Sequence, residues 1–326
     1  MKFLDFFSGI GGFRLGLEMA GHECAGHCEI DKFANKSYVA IHDVKEEEWY
    51  GDDIRTVKGN ELPNVDIWCF GFPCQDISSA GKQNGLDGNR SGLFFQVMRL
   101  IDERQEEDKP TRLFIENVKN LLSVNDGWDF LRILVELDKR GYDAEWQVLN
   151  TKHFGIAHNR ERVFIVGHLR GKSEPKVFPI RGNCTKTIKA HQFDLNGTGN
   201  ASQTNRLYET DGLAPCLTTF NSKCTKIVQR PISVSRVADK RYSDTAHCVI
   251  AGYAKGIGNQ RTTAVEVEED SNIRIRKLSP RETWRLQGFP DSYFDKAKEV
   301  NSDFQLYRQA GNSVSVPVIY EIAKRL

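Results

Sequence analysis

The stretch Phe3-Leu4-Asp5-Phe6-Phe7-Ser8-Gly9-Ile10-Gly11-Gly12-Phe13 decides the fold. Its first five residues are an apolar run broken by one acid, which reads as a buried strand. Glycines follow, and then the helical pattern Phe13–Ala20 begins. Strand, glycine turn and helix in that order open a βα unit. Glycine permits close backbone approach and positive φ, and the start of a helix offers unpaired N–H groups. Nucleotide-like ligands bind at such turns. Glu29 lies at the end of the next strand candidate, about 20 residues on, where an acid holds ribose hydroxyls. The glycine spacing departs from G-x-G-x-x-G, so a nucleoside without a pyrophosphate fits better. The alternative is a tight turn beside a surface acid.

Working outward, the strand candidates are 3–7, 24–29, 67–70, 113–116, 144–149 and 163–167. Helical patterns fall at 13–20, 32–41, 92–104 and 128–140. This alternation predicts an α/β fold, a doubly wound, mostly parallel sheet with helices on both faces. Active sites in such sheets lie beyond the carboxyl ends of the strands. After about residue 175 the texture changes to Gly, Asn, Thr and Ser, which predicts a smaller, irregular, β-poor second domain. Thr185–Ile188 and Cys216–Thr219 are its strand candidates, and the acidic patch Glu266–Asp270 closes it. Ser279-Pro280-Arg281-Glu282 reads as an N-cap, an N1 proline and a helix.

The composition is that of a globular protein: 326 residues, 39% hydrophobic and 27% charged, with net charge +1. No run of about 18 apolar residues exists, which argues against a membrane span. The N-terminus lacks a cleavage-site pattern, which argues against a secretory signal. Eight cysteines in this length are too sparse for a disulfide scaffold and read as reduced thiols in a cytoplasmic protein. Charge is unevenly spread. Residues 181–262 carry twelve Lys/Arg against five Asp/Glu, a net of +7. A polyanion-binding module and a solvated basic face both fit that excess.

Cys74 draws attention because it follows Pro73 in a loop just past the strand 67–70. There a thiolate can be exposed and stabilised, unlike Cys69 within the strand. Glu116, in Glu116-Asn117-Val118, ends the next strand, and Arg160-Glu161-Arg162 adds cations before the one after it. His22, Cys24, His27 and Cys28 could suggest zinc. Cys24 and Cys28, however, lie four apart on a strand, about 13 Å, too far for one metal, so no metal is expected.

Taken together, these motifs resemble those of the cytosine-5 DNA methyltransferases. The matching segments are Phe7–Phe13, Gly71-Phe72-Pro73-Cys74-Gln75, Glu116-Asn117-Val118, Arg160-Glu161-Arg162, Arg276–Glu282 and Gly311-Asn312-Ser313-Val314. The resemblance spans nearly the whole chain and implies an S-adenosylmethionine-dependent methyltransferase fold acting on double-stranded DNA. It implies Cys74 as the nucleophile at cytosine C6, a protonated Glu116 at N3 and the exocyclic amine, Arg162 at the carbonyl oxygen, and Arg160 beside it. Phe7, Gly9, Gly11, Gly12, Glu29, Ile30, Asp53, Ile54, Pro73, Leu93, Asn312 and Val314 become the cofactor contacts. Residues 76–92 become a mobile loop over DNA, with Ser78, Lys82 and Gln83 as DNA contacts. Target reading falls to 181–262, with Gln203, Arg206, Thr218, Lys223 and Arg230 as candidates.

The implied division is a catalytic domain at 1–175, a recognition domain and hinge at 176–302, and a C-terminal return at 303–326. The expected enzyme is a monomer of bacterial or phage type, with a cognate restriction endonuclease acting separately. Three positions depart from the family's common pattern: Ala80, His158 and Cys216. They bear on DNA contacts rather than on bond making. Three rivals remain. An amino-methyltransferase would call for a Pro-Pro element, which the chain lacks. A tRNA cytosine-5 methyltransferase of the same fold shares the chemistry. A binding protein without turnover would not need Cys74, Glu116, Arg160 and Arg162 together.

Overall fold

The structure, a computed structural model, describes residues 1–73, 92–172, 175–182 and 278–326 in full. Between 190 and 276 it describes the backbone of seven short strands. Packing divides it into two compact units. Met1–Leu149, Glu161–Arg181 and Val318–Leu326 form the first, and Asn150–Arg160 with Gly182–Pro317 the second.

The first unit is built on β1 (Lys2–Phe6), β2 (Glu23–Cys28), β3 (Trp49–Gly51), β4 (Ile67–Phe70), β5 (Arg112–Val118), β6 (Tyr142–Asn150) and β8 (Glu161–Leu169). They form one seven-stranded sheet in the order β3-β2-β1-β4-β5-β8-β6. β1 pairs in parallel with β2 and β4, β2 with β3, and β4 with β5. β8 runs antiparallel to β5. The helices are α1 (Gly12–Met19), α2 (Lys32–Ile41), α3 (Leu93–Asp102), α4 (Trp128–Lys139) and, at the chain's end, α8 (Val316–Ala323). The doubly wound expectation holds. β3 is the strand that periodicity did not foresee, since three residues are too few to show a pattern.

One sheet face carries the main core, where Leu4, Phe6, Trp68, Phe70, Leu113 and Ile115 meet Phe94, Val97 and Ile101 of α3 and Ile133 and Leu137 of α4. On the other face α1 lies tight against the C-terminal helix. A Cβ on Gly16 would fall 2.6 Å from Ile319 Cγ2, so only glycine allows this approach. Among the described residues no helix is long and apolar enough to cross a membrane.

In the second unit, β9 (Ala190–Gln192), β10 (Arg206–Glu209), β12 (Lys226–Val228), β13 (Arg241–Ser243), β14 (Val265–Glu269) and β15 (Asn272–Arg276) make a six-stranded sheet in the order β13-β9-β10-β12-β14-β15. β7 (His158–Asn159) pairs in parallel with β11 (Ala214–Pro215). The region is thus richer in strands than its composition predicts. Four strands of the six-stranded sheet are three or four residues long, and residues 266–269 of the acidic patch lie in a strand, β14, paired antiparallel with β15. The candidates Thr185–Ile188 and Cys216–Thr219 lie outside the described residues. Beyond β15 come α5 (Pro280–Arg285), α6 (Asp291–Val300) and α7 (Asp303–Asn312). α5 starts as expected, with Ser279 and Glu282 forming a capping box and proline in its first turn.

Asp5 is the anomaly of the first core. It sits at the centre of β1, opposite His27 and Cys69, and is fully buried. Burial pushes its carboxyl up to about 8, outweighing the Arg14 backbone N–H and guanidinium that favour the ion. The unfolded chain sheds this proton near pH 4, whereas the folded one keeps it to about 8. Asp5 therefore costs stability as pH rises through that window. Relative to Asp5→Asn, the wild type should lose about 1.4 kcal/mol per pH unit between pH 5 and 8 in urea unfolding. Parallel pH profiles for the two proteins would show that Asp5 is ionised in the native state.

Candidate active site

The strand order reverses at β1. From β1 the chain winds outward to β2 and β3, then returns to β4 on the other side and continues to β5. Loops leaving β1 and β4 diverge to opposite faces, and a crevice opens at their carboxyl ends.

The β1 loop forms one wall. Phe7, Gly9 and Gly11 have φ of 54°, 57° and 74°. For Phe7 this left-handed conformation costs on the order of 1 kcal/mol. Gly11 needs its glycine twice over, because a Cβ there would also strike the His42 ring, whose Nε2 lies 3.1 Å from the Ile10 carbonyl. The loop is held by the Ser8 N–H donating to Cys28 O (3.1 Å) and the Gly9 N–H to Glu29 Oε2 (2.7 Å). Glu29 Oε1 accepts from the Asp31 N–H at 2.7 Å. Glu29 thus joins the β1 loop to the start of α2. α1 has Gly11 as its N-cap, with no side-chain cap and no acid in its first turn. Its first N–H groups carry the positive end of the helix dipole, suited to a carboxylate.

The β4 exit and the end of β5 form the other wall. Gly71 backs onto Glu116: a Cβ on it would lie 3.5 Å from Glu116 Oε2. Arg162, on β8, brings its Nε to 3.2 Å from Glu116 Oε1, with both side chains largely buried. The contact is an ion pair without aligned hydrogen-bond geometry. Buried Asn117 donates through Nδ2 to Phe72 O at 3.1 Å, and its Oδ1 accepts from the Val118 N–H at 2.8 Å. Asn117 therefore ties the chain just before Pro73 to the strand bearing Glu116. Sequence reasoning passed it over, and its one signal was its place beside the acid.

The model of the C-5 cytosine-specific DNA methylase family matches residues 1–326. The chain belongs to this family. Two curated relatives of this DNA methylase are Type II methyltransferases. M2.ScrFI of Lactococcus lactis subsp. cremoris is 35% identical over 285 residues, covering 84% of this chain and 70% of the relative. M.Bsp6I of Bacillus sp. is 34% identical over 330 residues, covering 100% and 98%. Among solved structures, the Entamoeba histolytica methyltransferase EhMeth superimposes with a TM-score of 0.67 at 19% identity, covering 98% of this chain and 96% of that one. That likeness speaks for the fold. The enzyme methylates cytosine in DNA, and its reaction requires a methyl donor.

The remaining site candidates of the methylase fall as follows. Ile30 is 58% exposed, whereas Ile54 is 3% exposed within the core cluster. Asp53 is bound by Arg55 Nε and Nη2 at 2.9 and 2.6 Å. Half-buried Leu93 starts α3. Arg160, Asn312 and Val314 belong to the second unit. There Arg160 Nη2 donates to Ser313 O at 2.8 Å, and His158, fully buried, sets its Nδ1 2.8 Å from Leu286 O. Cys74, Ser78, Ala80, Lys82, Gln83, Gln203, Cys216, Thr218, Lys223 and Arg230 lie outside the described residues. Of Arg206 only the backbone, opposite Gln192 in β10, is described.

The zinc alternative finds other partners. His22 Nε2 lies 3.0 Å from Ala323 O, and His27 Nε2 lies 2.9 Å from Asn35 Oδ1. Burial raises the Cys24 and Cys28 thiols to about 12, against the thiolate a metal requires. Asn117→Ala strands the buried Phe72 carbonyl. It should cost about 1–3 kcal/mol in urea unfolding and slow methyl transfer at least about tenfold. A normal rate at reduced stability would show that the Gly71–Pro73 backbone is positioned by other contacts.

Proposed function

We propose that this enzyme methylates carbon 5 of a cytosine flipped out of double-stranded DNA, using S-adenosylmethionine and a covalent Cys74 adduct. The observation that carries the reading is the pairing of Glu116 with Arg162 beside the Gly71–Pro73 exit, directly before Cys74 in sequence. A base inside a duplex is out of reach, so the target must leave the stack.

The β1 wall suits an adenosyl amino acid. Glu29 is placed for the ribose hydroxyls, the uncapped start of α1 for the carboxylate, and exposed Ile30 for the adenine face. Asp53 would exchange Arg55 for the adenine amine, with Phe7, Gly9, Gly11, Gly12, Ile54, Pro73, Leu93, Asn312 and Val314 completing the contacts. Bound there, S-adenosylmethionine supplies an electrophilic methyl group. Cys74 adds its sulfur to C6, and the electron pair of the 5,6 double bond makes C5 nucleophilic. Glu116, paired with Arg162 in the free site, takes up a proton as the base enters, donates at N3 and offsets the charge that develops in the ring. Arg162 holds the carbonyl oxygen and favours the Cys74 thiolate, with Arg160 supporting the same edge. Once C5 carries the methyl group it loses its proton, and the pair returns to the ring as the Cys74 bond breaks.

The Type II relatives support a modification role beside a separate restriction endonuclease, in the bacterial cytoplasm where the DNA is. The enzyme is taken as a monomer. Target choice is assigned to 181–262, where Arg reads guanine and Asn or Gln reads adenine, most of the other cations meeting phosphate.

With S-adenosylmethionine present, a 5-fluorocytosine duplex leaves no proton to lose at the methylated C5 and should trap a denaturant-stable adduct on the Cys74 peptide. Cys74→Ala should give none and no turnover, whereas Glu116→Gln should be slower by about a hundredfold. An adduct in Cys74→Ala would refute the nucleophile, and a full rate in Glu116→Gln would remove the acid. Transplanting 181–262 into a relative should move the methylated sequence, as read by bisulfite mapping. A chimera that kept its old target would place specificity elsewhere.

A further inference from the structure

Within the second unit, one exposed residue stands in a buried turn. Asn312 is the last residue of α7 and is exposed, while Gly311, Ser313, Val314 and Ser315 on either side of it are buried. The end of a helix leaves its last carbonyls without partners. Here two of the carbonyls flanking Asn312 are taken by one side chain from the turn after α5. Gln287, fully buried, donates through Nε2 to Ala310 O at 2.6 Å and, more weakly, to Ser313 O at 3.4 Å. Its own backbone carbonyl accepts from the Val316 N–H at 2.9 Å. Arg160 Nη2 takes Ser313 O as well, at 2.8 Å.

We infer that Gln287 is a positioning residue for Asn312: it staples the turn at 310 on one side and at 313 and 316 on the other, and so presents the Asn312 amide in one orientation. The inference rests on the reading of Asn312 as a cofactor contact. A flexible turn would still hold an asparagine, but each encounter with ligand would first have to order it. That ordering cost appears in affinity and not in the chemical step. Nothing in the composition of Arg285-Leu286-Gln287-Gly288 reveals this role, because it depends on a partner more than twenty residues away.

Calorimetric titration with S-adenosylhomocysteine tests it on the full chain. Gln287→Met and Asn312→Ala should each raise the Kd about tenfold, the value of one well-made hydrogen bond. The double variant should bind no more weakly than Asn312→Ala alone, because Gln287 acts through Asn312. In turnover, Gln287→Met should raise the KM for S-adenosylmethionine and leave kcat near wild type. Gln287→Asn, one methylene too short to reach Ala310 O, should repeat the pattern where the methionine variant folds poorly. Trp284→Phe, which loses the bond to Leu306 O further up α7, should lower Tm without moving the Kd. Additive effects of Gln287 and Asn312, or a Kd change in Trp284→Phe equal to that of Gln287→Met, would overturn the assignment. A normal Kd for Asn312→Ala would instead refute the cofactor reading of Asn312.

Discussion

The reversal of strand order at β1 is the constraint on which the rest depends. With β2 on one side and β4 on the other, loops at both carboxyl ends must part, and neither can fill the space between them. What the fold then needs is a way to hold two open loops. It uses a carboxylate on one wall, where Glu29 fastens Gly9, and an amide on the other, where Asn117 fastens Phe72. Both anchors reach the backbone, so each fixes the path of the chain while leaving neighbouring side chains available for chemistry.

The same sheet edge handles charge with care. Glu116 is set against Arg162 with both side chains nearly out of water, where an ion pair is strong but costly to break. A cytosine entering this place would exchange contacts with groups already desolvated and oriented, which is how electrostatic preorganisation lowers a barrier. Arg14, on the helix below the β1 loop, is handled alike: buried, it takes both oxygens of Glu48 at 2.7 and 2.9 Å and one of Glu18 at 2.8 Å. That clamp ties α1 to the segment before β3 and stiffens the floor under the loop.

Much of this was legible in the sequence where local pattern and local role coincide. The glycines after β1 announced a turn with positive φ, and the serine and glutamate at 279 and 282 announced a helix start. The acids at 29 and 116 could be placed because strand ends can be counted. Features set by distant partners could not be read. Asp5 looked like an interruption in a strand, Asn117 like a neighbour of the acid, and Gln287 like any turn residue. Their roles depend on Arg14, Phe72 and Ala310, which only the tertiary structure brings near. The second sheet was hidden for another reason: three-residue strands are shorter than the period needed to detect them, and alternation in Val265–Glu269 was masked by its acidic character.

The claim that the crevice beyond β1 receives the methyl donor has one direct test. Backbone amide spectra of the labelled protein, recorded while S-adenosylhomocysteine is added, report contact residue by residue. The account predicts that shifts concentrate at 7–13, 29–31 and 53–54. The amides at the opposite sheet edge, such as Gly21, Asp66 and Thr111, should stay in place. Shifts centred on that opposite edge, with the Ser8–Gly12 amides unmoved, would contradict it.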